Sequence, residues 1–79
     1  MNFLTLPDLS KSFQQIRIMV ELQLAAKGDD LISIAIRLAI QQKRSARETI
    51  SWIKSQATDN PRIMAEVIGE ELTQTILNF

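Results

Sequence analysis

Apolar residues return along this chain at steps of three and four in four separate stretches, the spacing that lays side chains along one face of an α-helix. In the first stretch Leu6, Leu9, Phe13, Ile16, Val20 and Leu24 fall on one stripe. Ile18, Met19, Leu22 and Ala25 widen it, and Lys11, Gln14, Gln15, Arg17 and Glu21 form the polar complement. Thr5-Leu6-Pro7-Asp8 supplies a start, because threonine caps, proline is tolerated in the first turn and Asp8 sits against the positive helix end. Gly28 supplies the stop. A helix near 6–27 is expected, with the stripe through Phe13 and Val20 turned to the core.

The second stretch reads two ways. Ile32, Ile34, Ile36, Leu38 and Ile40 alternate with Ser33, Ala35, Arg37, Ala39 and Gln41, which also fits a strand rich in β-branched residues. A lone strand would have no partner among helical segments. The alanines and the Leu-Ala-Ile-Gln-Gln-Lys-Arg exit favour a helix near 30–44, capped by Asp29 or Asp30. Wound that way, only Ser33, Arg37, Gln41 and Arg44 form a polar strip, so this helix is expected to be the hub of the domain or of a dimer.

Ser45-Ala46-Arg47-Glu48 is a capping-box pattern that opens a third helix near 46–57. It buries Ala46, Ile50, Ile53 and Ala57, and Trp52 stands off that stripe. Thr58-Asp59-Asn60-Pro61 breaks and restarts the chain, with Asn60 as cap and Pro61 at the first helical position. A fourth helix near 61–77 carries Met64, Val67, Ile68, Leu72 and Ile76. Gly69 in its middle costs about 1 kcal/mol relative to alanine. The fold class is therefore all-α: a small four-helix bundle-like arrangement in one domain spanning 1–79.

Composition sharpens this picture mainly by exclusion. A chain of 79 residues that is 46% apolar and 23% charged, with two glycines and two prolines, folds instead of staying disordered. It has no cysteine and no histidine, which removes thiolate chemistry, the commonest general base and the commonest metal ligand. Glycines at 28 and 69 alone cannot build a phosphate loop. Glu66, Glu70 and Glu71 share one helix face and read as solvated surface. The expectation is no enzyme, no catalytic residue, no cofactor and no metal.

Nine basic residues balance nine acidic ones, so the global field steers toward neither nucleic acid nor an anionic membrane. The charge is nevertheless polarised. Residues 37–54 sum to +4 and residues 55–79 to −3. Met1 to Leu9 carries no positive charge for a secretory n-region, and the apolar window Leu31–Ile40 falls short of the ~20 residues that cross a bilayer. A cytoplasmic setting without membrane contact is expected.

Two functional readings follow. The favoured one rests on apolar excess: the first helix is apolar over a wide arc, and if the second takes up most of the cover, Ile18, Met19 and Leu22 are left for self-association. Closed two-fold dimers are the commonest way to cover such a patch. The chain is then a non-catalytic protein–protein interaction module, a small regulator, adaptor or assembly factor acting as a homodimer. Its expected partner-binding edge is Lys43, Arg44, Arg47 and Trp52, because arginine and tryptophan are enriched in binding hot spots. The alternative rests on residues 37–54, which resemble a helix-turn-helix DNA reader in outline, with Arg47, Thr49 and Ser51 placed to meet a groove. The turn lacks the usual glycine, and Lys43, Arg44 and Ser45 stand where an apolar residue is usual.

Overall fold

The computed structural model describes residues 10–79, and these form five helices: α1 (Ser10–Ala25), α2 (Leu31–Gln41), α3 (Ala46–Asp59), α4 (Pro61–Ile68) and α5 (Glu70–Leu77). The all-α bundle-like class holds, and no strand occurs among the described residues. The expected start of the first helix at residues 5–8 lies outside them.

The helix boundaries follow from side chains that meet the unpaired backbone groups at helix ends. At the start of α2, the Asp30 carboxylate accepts the Ser33 backbone N–H at 2.8 Å and the Ser33 hydroxyl at 2.9 Å. This pairing explains why Ser33, expected on a polar strip, is buried. It also holds the Asp30 carboxyl below its ordinary value, first through the Ser33 N–H and then through the Ser33 hydroxyl. Gly28 does not stop α1 by a left-handed turn, since the positive-φ glycine of the described residues is Gly69. Its service is space: a Cβ there would lie 2.6 Å from Asp30 Oδ1. The connection between α1 and α2 is held by Arg37, whose Nη1 donates to the Ala26 carbonyl at 3.0 Å and to the Gly28 carbonyl at 2.7 Å.

At the end of α2 the missing glycine is explained. Lys43 itself takes the left-handed conformation, φ 58°. Its N–H donates to the Ile40 carbonyl at 3.1 Å, and that of Arg44 to Ala39 at 3.3 Å. This pair of bonds is the Schellman closure. Ser45 then starts α3 by accepting the Glu48 N–H at 3.1 Å, as its capping-box pattern requires.

Two boundaries differ from expectation. Asn60 makes no side-chain cap. Its backbone serves both neighbours instead, donating to Gln56 at 3.0 Å and accepting from Met64 at 3.1 Å, so α3 runs on to Asp59. The single helix expected over 61–77 is two helices, broken at Gly69 with φ 96° and ψ 150°. That conformation belongs almost wholly to glycine. The Gly69 carbonyl accepts both the Thr73 N–H at 3.1 Å and the Thr73 hydroxyl at 2.7 Å, which buries Thr73 with its bonds satisfied.

The core reverses the expected reading of α1. Ile18 and Leu22 are fully buried, packed with Ile36, Ile53, Met64 and Ile76, and Met19 packs partly buried against them. Phe13, Ile16, Val20 and Leu24, expected inside, are 64%, 60%, 51% and 62% exposed. Both sets obey helical spacing, and the chain rotates α1 so that the set reaching α3 and α4 wins. Ile18 and Leu22 are therefore not the apolar surface left over. The hub is also displaced: α1, α3 and α4 each pack against all four other helices, whereas α2 does not reach α5. On the side of α2 turned from the core, Leu31, Ile34 and Leu38 remain exposed.

Candidate functional site

Two surface features stand out, an apolar exterior and a groove. The exterior is made of the α1 stripe (Phe13, Ile16, Val20, Leu24) and the α2 stripe (Leu31, Ile34, Leu38). Each lies opposite its own helix's buried face, and the two helices pack on one another. Taking roughly 150–200 Å² for a side chain of this size, the exposed fractions leave about 400 Å² of apolar surface on α1 and about 300 Å² on α2. A typical monomer's largest apolar patch is about 300–600 Å², and each stripe by itself reaches that range.

The groove, of about 300 Å³, runs between α2 and α3. Ala35, Leu38 and Ala39 of α2 face Trp52 and Thr49 of α3, with Gln42, Arg44 and Glu48 around them. Trp52 is half-buried and backs onto the core. Its other side borders a shallower hollow that Arg44, Arg47, Ser51 and Ser55 complete. Of the four expected partner residues, the structure thus brings Arg44, Arg47 and Trp52 together. Lys43 lines neither hollow, and its visible role is the backbone turn.

Thr49 was expected to face a nucleic-acid groove. It is instead 1% exposed, and its Oγ1 is buried without a hydrogen-bond partner. Sequence reasoning missed the α2 wall of the groove, Ala35, Leu38 and Ala39. Their spacing of three and four residues marks them as one face, but Ile32, Ile34, Ile36 and Ile40 make α2 apolar around most of its circumference, so no single face stands out. Arg37 is also not a free cation for a ligand, because its guanidinium is committed to the Ala26 and Gly28 carbonyls between α1 and α2.

The acidic residues diverge. Glu66 and Glu70 border one hollow with Arg62, whereas Glu70 and Glu71 border another with Arg17 and Glu21. All three are exposed. Among the described residues no group of three or more acidic side chains converges closely enough to hold a metal ion, and no helix is long and apolar enough to cross a membrane. Comparison of the chain with protein-family models, with curated proteins and with solved structures finds no match.

Proposed function

We propose that this chain is a non-catalytic helical interaction module, a small regulator, adaptor or assembly factor that works as a homodimer in the cytoplasm. The observation that carries the reading is the outward-facing stripes of α1 and α2, seven large apolar side chains on two neighbouring helices. Water contact at these positions costs free energy that a folded partner surface recovers. Together the stripes offer about 700 Å² per copy, close to the ~800 Å² per partner of a standard stable interface. The groove beside Trp52, with Arg44 and Arg47 at its edge, is then the surface turned to a further protein partner.

Sedimentation equilibrium tests the reading. The expected result is a reversible monomer–dimer equilibrium in the micromolar range. A single 9.0 kDa species up to millimolar protein would overturn it.

A second reading, DNA binding through α3, draws on Arg47 and Ser51 along one exposed edge of that helix and on Arg44 in the turn just before it. It predicts a mobility shift of random duplex DNA at low salt, lost steeply as salt rises. The burial of Thr49 and the engagement of Arg37 weigh against it.

A further inference from the structure

The outer stripe of α1 runs from Phe13 to Leu24, so its midpoint falls between Ile18 and Met19. Arg17 and Glu21 lie on either side of that midpoint. They are one helical turn apart and occupy the same edge of α1, where both line one hollow. Within one chain they already approach, Arg17 Nε to Glu21 Oε1 at 3.5 Å, with the side chains 77% and 40% exposed. Both therefore keep hydrogen-bonding capacity toward a neighbour.

We infer that two copies pair through α1 in antiparallel sense about this midpoint, with Arg17 of each copy meeting Glu21 of the other. The inference rests on the self-association reading above and gives it a geometry. A two-fold axis at the midpoint sets Phe13 against Leu24 of the second copy and Ile16 against Val20, so the apolar stripe is self-complementary. The same axis brings like edges of the two helices together. On α1 itself that edge bears one cation and one anion, placed symmetrically about the axis, and is its own electrostatic complement, with Glu70 and Glu71 of α5 bordering the same hollow. A parallel pair cannot use it, because the Arg17–Glu21 edge would then face the opposite edge of α1, where Met19 and Gln23 lie and no charge stands. The α2 stripe, on the neighbouring helix, extends the covered area toward that of a standard interface.

The test is a charge exchange read by sedimentation equilibrium. Arg17→Glu leaves two carboxylates on the edge, and Glu21→Arg leaves two guanidinium groups. Each variant alone is expected to dimerise about tenfold or more weakly than the native chain, which corresponds to about 1.4 kcal/mol. An equimolar mixture is expected to recover native-strength association as a heterodimer. Mixing cannot restore the intrachain pair, which stays broken in both variants, so recovery reports the contact between copies alone. Circular dichroism checks that both exposed substitutions leave the helices intact.

If the native chain dimerises but the variants dimerise equally well, or the mixture fails to recover, the antiparallel α1 pairing is wrong and self-association uses another face. If the native chain stays monomeric, the pairing falls together with the functional reading it rests on.

Discussion

Replacing Lys43 by glycine should stabilise this protein, although it removes a cation from the negative end of a helix. Lys43 closes α2 at φ 58°, a left-handed conformation that costs an L-residue about 1–2 kcal/mol. Glycine adopts it freely, but glycine also gains freedom in the unfolded chain, which takes back about 0.4–1 kcal/mol. The lost charge near the last carbonyls of α2 removes a further few tenths for an exposed group. The net effect over the native chain therefore runs from about zero to about 1 kcal/mol of stabilisation. A cleaner comparison sets Lys43→Gly against Lys43→Ala: both lose the charge, and only alanine keeps the strain. Glycine should be the more stable by about 1 kcal/mol, or roughly 4–8 °C in Tm for a domain of this size. Urea unfolding followed by circular dichroism measures this, at one fixed protomer concentration because association adds to apparent stability. The m-value should not change. If glycine exceeds alanine by less than about 0.5 kcal/mol, the Schellman closure through Lys43 is not the conformation in solution.

The break between α4 and α5 gives the mirror-image case. Gly69→Ala meets no steric obstacle, since no atom lies within 4 Å of the added carbon. It should still cost about 1–3 kcal/mol, because φ 96° with ψ 150° is open almost only to glycine. An unchanged urea midpoint would mean α4 and α5 run as one helix. Asp30, held below the ordinary 3.8, stabilises the folded state only while ionised. That contribution is complete above 3.8 and is lost as pH falls through the lower folded value, so acidification should reduce the urea midpoint there. Asp30→Asn should flatten that part of the pH profile, and an unaltered profile would refute the cap. Met64→Ala, at a side chain 1% exposed, should cost about 2–5 kcal/mol; a loss under 1 kcal/mol by urea titration would place α4 outside the core.

Much of the fold was written locally. Asp30, Ser45 and Pro61 mark the starts of three helices because a cap or an N1 proline acts within one turn, and one turn is what a short window of sequence contains. The orientation of α1 was not legible in the same way. Phe13-Ile16-Val20-Leu24 and Ile18-Leu22-Ala25-Ala26 both satisfy the helical period, and choosing between them needs the shape of α3 and α4, which periodicity does not supply. Gly69 likewise reads as a tolerated flaw until Thr73 is seen bonding its carbonyl. At the site, Trp52 with Arg44 and Arg47 could be marked from residue type and placement off the stripe. Thr49 lies one turn from Ala46 and Ile53, at the edge of the buried stripe of α3, but a hydroxyl-bearing side chain there reads as surface until α2 packs over it.

Trp52 has one more consequence. The chain holds one tryptophan and no tyrosine, so nearly all its near-ultraviolet emission arises from this single indole, half in solvent and shared by the groove wall and the hollow beside Arg47. The protein thus carries its own optical probe at the spot where a further partner would sit. Occupancy there would register as a spectral change without any label.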